Sequence, residues 1–449
     1  RAENLVDDLC ITSAMADDRD FLVDSVTACA KLIMQATSGQ YFDFNSENEE
    51  YYLRTEGGVN FDQQINQYAE QMSDARKDEA FFRFMVEVLG IEADPYRTGF
   101  QIYQHELEWR SHKVTRDGYI FFGNPNDKST TQPRQYFYMI FMPIFDAGKK
   151  QRNMEDDEIY FVLDDLSEEF KELVCKYGAA LSLWNSADTQ QKTFYRGKYE
   201  DLFTKARREF DQCYLRATKV FFKDADGRML SSYQLPAQSA TKMEIFNCAA
   251  SAVFEEQFMQ QLPKYPAFTY AQSMITSENI SRYIKAAFAK IANPAVANRD
   301  GEAILAGLGC YNAGILSVDD SIYAQGILRL MNEREQNMVV NKDEILEYLP
   351  NSTNIWRSKD YQIDAAFEFI VLAAMTALGE CVIQLNGGTQ LDATNLQELN
   401  RLQSDDYFTF AYIKRPQDVN VQVFKALTRA LCGQDLSNRL DQEATYTSL

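Results

Sequence analysis

The chain's two histidines, His105 and His112, stand among Glu106, Glu108 and Lys113, groups able to move protons or hold a metal. Zinc takes three or four ligands, and this spacing supplies no known zinc pattern. A general base needs a nucleophile within hydrogen-bond reach. No Gly-x-Ser-x-Gly elbow offers one. Acids and a lysine on adjacent strands are also the donor set of a metal-dependent nuclease. That reading, or any cryptic hydrolase, requires His105, Glu106 and Lys113 to converge on one face of a cleft. Alternating strands carry such residues routinely, and a structural histidine at a strand edge is the simpler account of His105. The expectation is no catalytic residue, no cofactor-binding residue, no metal ligand and no cofactor.

Phosphate chemistry needs a glycine-rich turn ending in Gly-Lys-Ser/Thr, whose amides cradle the phosphates. The chain has no such string. Ile159-Tyr160-Phe161-Val162-Leu163-Asp164-Asp165 has the outline of the strand and acid that hold magnesium in nucleotide hydrolases. Without the phosphate loop it reads as a buried strand running into a capped helix. The polar loop from Gly123 to Arg134 lies between two hydrophobic strands, where binding loops are often held. Its Asn-Pro and Gln-Pro turns favour a plain surface connection. Lys205-Ala206-Arg207-Arg208 is the best basic patch, yet Glu209 and Asp211 follow at once, so it reads as a mixed, solvated helical face.

The elements that would position these groups read as α+β, mostly helical. Residues 1–95 form a helical region with a hairpin. Asp20 caps a helix from Phe21 to Ser38 stopped by Gly39, short strands lie at 41–44 and 51–54, and Asp78 starts a helix over 81–89 stopped by Gly90. Residues 96–165 are β-rich, with Leu107–Val114 and Tyr119–Phe122 joined by a turn at Arg116-Asp117-Gly118. Residues 166–236 give two antiparallel helices, the second from about Gln190 to Val220, and a hairpin around Asp224-Ala225-Asp226-Gly227. Residues 237–318 are helical. In 319–449, helices near 321–332, 342–349 and 361–378 precede a ribbon turned by Asn386-Gly387-Gly388. That end is winged-helix-like, although its acidic helix at 341–348 is poorly suited to a DNA groove.

With 449 residues, 45% hydrophobic and 13% aromatic, the chain can bury real cores. Its 45 basic and 66 acidic residues leave a formal charge of −21, which repels phosphate backbones and weighs against broad nucleic-acid binding. The longest apolar run, Phe369–Leu378, is about half of the roughly 20 residues that span a bilayer, so it reads as a buried helix and no membrane partner is expected. Eight scattered cysteines with no C-x-x-C pair read as reduced core thiols in the cytosol. Arg1 without a preceding Met reads as the start of an excised segment.

Ser38-Gly39-Gln40-Tyr41-Phe42, Asn48-Glu49-Glu50-Tyr51-Tyr52-Leu53 and His105-Glu106-Leu107-Glu108-Trp109 resemble a family of bacterial phage-resistance ATPases, the PglY-like proteins of BREX-type defence systems. So do Lys113-Val114-Thr115-Arg116 and Gly118-Tyr119-Ile120-Phe121-Phe122-Gly123-Asn124-Pro125-Asn126, with Ser129-Thr130-Thr131-Gln132-Pro133 and Phe137-Tyr138. The likeness is clearest over residues 1–165. It implies a multidomain cytoplasmic P-loop ATPase acting with other defence proteins against phage DNA. This chain, lacking the phosphate loop, would be the region after the ATPase core, so no ATP-contacting residue carries over. The leading expectation is a non-catalytic scaffold or interaction segment. A DNA-engaging module, reaching DNA through the complex, and a cryptic hydrolase are the alternatives.

Overall fold

Caps and glycines decide where most helices begin and end. The structure is a computed structural model that describes residues 1–8, 18–36, 42–45, 48–53, 60–96, 101–128, 132, 135–146, 153–223, 226–236, 240–335, 338–349, 355–403, 406–416 and 421–433. Cys10, the Gly39 helix stop, and residues 129–131 and 133–134 of the polar loop lie outside the described residues. Helices account for roughly half of an α+β arrangement with several small sheets. The chain divides into two compact units, residues 1–92, 142–150 and 162–219 in the first and 93–141, 151–161 and 220–449 in the second. Helices and strands are numbered along the chain.

The first unit holds α1 (Ala2–Asp8), α2 (Arg19–Ala36), the antiparallel pair β1 (Phe42–Asn45) and β2 (Glu50–Leu53), α3 (Phe61–Gln71) and α4 (Asp74–Leu89), then α5 (Glu168–Ser186) and α6 (Thr189–Ala217). Two expected caps move. In α2 the Phe21 N–H donates to Asp18 Oδ1 at 3.0 Å, so Asp18 rather than Asp20 starts the helix. α4 starts after Ser73, one turn before Asp78. Asp78 is instead buried within it and accepts from the backbone N–H groups of Ile144, Phe145 and Asp146 at 2.8, 2.9 and 2.9 Å. Gly90, at φ 68°, closes α4 in the left-handed region that glycine tolerates best. Ser167 caps α5 through the Phe170 N–H at 3.1 Å. Phe84 then packs edge-on to Phe170 and Phe210, which makes α4, α5 and α6 one aromatic core.

In the second unit, β3 (Ile102–Trp109), β4 (Val114–Phe122), β5 (Phe137–Phe141), β6 (Glu158–Leu163), β7 (Thr218–Phe221) and β8 (Arg228–Met229) form a six-stranded sheet in that order, with β6 and β7 running across the unit boundaries along the chain. β3 and β4 are antiparallel, whereas β4, β5 and β6 are parallel. The second helix of the hairpin therefore ends at Ala217, and Thr218–Phe221 is strand. The β3–β4 turn falls at residues 110–113, with Lys113 at φ 54°, and not at Arg116-Asp117-Gly118, which lies inside β4. Gly118 is there for closeness. A Cβ on it would meet the Phe137 ring and carbonyl of β5 at 2.5 Å.

α7 (Lys242–Gln261) packs on β3, its Phe254 and Phe258 reaching Phe137. There follow α8 (Ile280–Ala292), α9 (Arg299–Gly307), the ribbon β9 (Tyr311–Asn312) and β10 (Ile315–Leu316), and α10 (Ile322–Asn332). β11 (Val340–Asn341) leads into α11 (Lys342–Ile345) and the hairpin β12 (Leu346–Leu349) with β13 (Ile355–Ser358). The helix expected at 342–349 is thus one turn long. The Glu344 carboxylate takes the Asn341 N–H at 2.9 Å to cap that turn, and Tyr348 then pairs across strands with Trp356 at 5.3 Å.

α12 (Ala365–Ala377) is the expected buried helix, closed off at every residue from Phe367 to Ala377. β14 (Val382–Gln384), β15 (Gln390–Leu391), α13 (Asp406–Thr409), β16 (Tyr412–Lys414) and α14 (Val421–Cys432) complete the chain, with β11, β16, β14 and β15 forming one sheet. Gly387 and Gly388, at φ 93° and 92°, turn the β14–β15 hairpin that the Asn386-Gly387 pair suggested. Cys175, Cys248, Cys310 and Cys381 are free and buried, as expected, while Cys29 is exposed. No helix among the described residues is long and apolar enough to cross a membrane.

Candidate functional site

Successive residues of a strand face opposite sides of the sheet, and this separates the groups that spacing had put together. On β3, His105 Nε2 lies 2.7 Å from Asn247 Oδ1 of α7. Burial lowers its pKa, against the hydrogen bond and nearby Glu106. Glu106, on the opposite face, accepts from the Thr115 hydroxyl at 2.7 Å and from the Ser277 N–H at 3.3 Å. Glu108 pairs with Arg110 at 3.3 Å. Lys113 donates to the Ala271 carbonyl at 2.6 Å. His112 stacks on Trp109 with ring centres 3.6 Å apart, and burial lowers its pKa against the pull of Glu255. His105, Glu106 and Lys113 therefore point to three different neighbours and do not assemble into a hydrolytic centre.

The other groups singled out from sequence are likewise tied to neighbours. Asp164 accepts from Lys219 at 2.9 Å, and Asp165 sits at φ 61° in the bend after β6. Lys205 pairs with Asp201 one turn back on α6, at 2.8 Å, and Lys205, Arg207 and Arg208 are all exposed, so this stretch is the solvated face that its mixed charges suggested. In the polar loop, Asn124 accepts from the Asn126 N–H to cap the turn Pro125–Asp127. Lys128 of the same loop reaches Glu158 at 2.5 Å and Glu155 at 3.3 Å and lies 4.0 Å over the Tyr138 ring. Glu155, Asp157 and Glu158 come close enough together to hold a metal ion. The Lys128 ammonium supplies the positive charge at that spot, and Glu158, fully buried, also accepts from the Tyr160 hydroxyl at 2.9 Å.

A different cluster emerges where β4 enters the sheet. Arg116, 6% exposed, donates through Nη2 to the Tyr265 hydroxyl at 2.7 Å and to Asp364 Oδ2 at 3.4 Å, and through Nε to its neighbour's carbonyl, that of Thr115, at 2.7 Å. Its guanidinium also lies 4.3 Å over the Tyr265 ring. The Tyr265 hydroxyl donates to Asp364 at 2.6 Å, which closes the triangle. Burial opposes the Arg116 charge, but Tyr265, Asp364 and Asp117 outweigh it and raise its pKa. Burial pushes Asp364 up, yet Arg116 and Arg357 win and hold it below its ordinary value. Arg357, also buried, lies 4.5 Å over the Tyr136 ring and pairs with Asp364 through a backbone bridge.

Beside this network opens a cleft of about 330 Å³. Glu106 and Asp117, directly opposite each other in the β3–β4 register, line one side. The first turns of α8 and α12 line another, at Ile280, Ser281, Ala365 and Ala366. Trp356, Ile284, Phe367 and Tyr407 supply apolar wall. Asp117 keeps part of its surface exposed, while the surrounding walls take enough water from it to raise its pKa against the pull of Arg116.

Family models match the chain in three successive blocks. The DUF6079 second domain covers residues 1–59, the DUF6079 third domain covers 63–262, and the family of unknown function (DUF6079) 4th domain covers 280–415. The chain belongs to the DUF6079 family. No curated protein and no solved structure matches it. In DUF6079 terms, the Arg116 network joins a strand of the third domain to the start of a helix of the fourth, through Tyr265 in the connector. Sequence reasoning missed this. Arg116-Asp117-Gly118 looked like a turn, and Tyr265 and Asp364 lie 149 and 248 residues away from Arg116. The one available signal was an arginine and an aspartate in the middle of an otherwise apolar strand.

Proposed function

We propose that this DUF6079 chain is a non-catalytic scaffold and interaction segment of a large phage-defence ATPase of the PglY-like, BREX type, which acts in the cytoplasm with other defence proteins. The Arg116–Tyr265–Asp364 triangle is the observation that carries the scaffold reading. Its polar groups are spent on tying third-domain strand to fourth-domain helix, and the histidines and lysine most suited to chemistry are spent on similar ties. The phage-defence assignment rests on the sequence resemblance. The matched models are the second to fourth of their family, and in this reading phosphate chemistry would belong to a domain outside them.

The 319–391 stretch takes a winged-helix-like role in this reading, with α10, α12 and the β14–β15 ribbon as its parts. Contact with protein is favoured over contact with DNA, because α12, the helix before the ribbon, is buried on all sides and has no free face for a groove. The purified chain with ATP and magnesium should release no phosphate above buffer. In cells carrying the whole defence system, Arg116→Ala should abolish protection in a plaque assay. Phosphate release by the isolated chain, or full protection by a version of the system lacking residues 93–415, overturns the proposal.

A further inference from the structure

Like charges set directly opposite each other on one face of a strand pair repel, and folds avoid them unless something repays the cost. Glu106 and Asp117 are such a pair, and the face they share is a wall of the 330 Å³ cleft. Glu106 has two donors, the Thr115 hydroxyl and the Ser277 N–H, both neutral. Arg116, which also lines the cleft, and Arg357 both draw Asp117 towards its charged form, and the Lys342 ammonium lies 3.8 Å over the Trp356 ring, yet the arginines' contacts lie elsewhere. Arg116 is committed to Thr115, Tyr265 and Asp364, and Arg357 is buried and does not line the opening. The start of α12 already carries Asp364 at its cap. The start of α8 contributes roughly half a positive charge, too little to offset two carboxylates. What a ligand meets is a carboxylate pair on one strand pair and an apolar wall of Trp356, Ile284, Phe367 and Tyr407.

We propose that this cleft binds an organic cation, its ammonium or guanidinium group seated between Glu106 and Asp117 and its apolar body against Trp356 and Tyr407. The inference stands apart from the scaffold reading, since a ligand site is compatible with any role of the chain. An anionic ligand is disfavoured because both carboxylates would have to be protonated to admit it. A bare metal ion is disfavoured because, among the described residues, the cleft brings no third carboxylate, histidine or cysteine within ligand reach of the pair.

Phenethylamine and 3-phenylpropionate share a body and differ in the sign of their charge. Calorimetric titration of the full chain should show phenethylamine binding at least ten-fold more tightly than 3-phenylpropionate. Glu106→Gln and Asp117→Asn should each weaken the amine at least ten-fold, and Trp356→Ala should weaken both probes. Asp117 is solvent-exposed, so Asp117→Asn should keep the native melting temperature or raise it, which separates lost binding from lost folding. Preference for the anion, undiminished amine affinity in the Glu106→Gln/Asp117→Asn double variant, or no binding of phenethylamine to the wild-type chain each overturns the proposal.

Discussion

Breaking a buried ion pair by removing one partner leaves the other charge stranded, at a cost of roughly 3–5 kcal/mol. Arg116→Ala takes one of two cations from Asp364, whose side chain is 28% exposed and which keeps the Tyr265 hydroxyl and Arg357, so urea unfolding should show a loss at or below the low end of that range. Arg116→Lys should rescue little of it, because a single ammonium cannot serve Thr115, Tyr265 and Asp364 from one planar fork. Glu368 presents the opposite problem. It is 1% exposed on α12, one of its oxygens has no partner, and burial pushes its pKa up to about 8, only partly opposed by Ser358. The folded protein therefore keeps a proton that the unfolded chain gives up near pH 4.5. Stability should fall as pH rises from about 4.5 to 8 and then level off, by a few kcal/mol in all. Glu368→Gln should flatten that part of the curve, as followed by melting temperature across the range. A wild-type slope that persists in the variant belongs to another group.

At the scale of elements, close approach and anchoring matter more than propensity. Gly118→Ala would put a methyl 2.5 Å from Phe137, where the neighbours are a buried ring and a strand carbonyl that cannot easily move. Parting β4 from β5 should cost about 1–3 kcal/mol or more, measured as a lowered denaturant midpoint. Asp78 holds the stretch after β5 by three N–H bonds. Asp78→Ala would leave those donors unpaired, so the amides of Ile144, Phe145 and Asp146 should exchange hydrogen much faster while those of the α5–α6 pair hardly change. Equal exchange across both regions would mean that Asp78 anchors nothing local. Both residues looked like ordinary local signals in sequence, a turn glycine and a cap aspartate. Their real partners lie 19 and more than 60 residues away, at Phe137 and Ile144.

Over the whole molecule, the compact units are not continuous stretches of chain. The first unit takes residues from three segments, and the aromatic core around Phe84 needs Phe170 and Phe210 from α5 and α6. A fragment of residues 1–92 should therefore lack fixed aromatic packing, seen as a flat near-ultraviolet circular dichroism spectrum; a native-like spectrum would show that α4 finds its core without them. Local patterns by themselves determined the α+β class, the buried α12, the Ser167 cap, the Gly90 stop and the β14–β15 turn, because each depends on residues within a few positions of one another. The sequence also showed that the phosphate-loop string is missing, since that motif is contiguous. Only the tertiary structure decided that His105 and Glu106 part company, that residues 346–349 leave the helix for a strand, and that Arg116 meets Tyr265 and Asp364. Those outcomes depend on which face of a sheet each side chain takes and on what a distant segment brings to it, and neither is written in spacing along the chain.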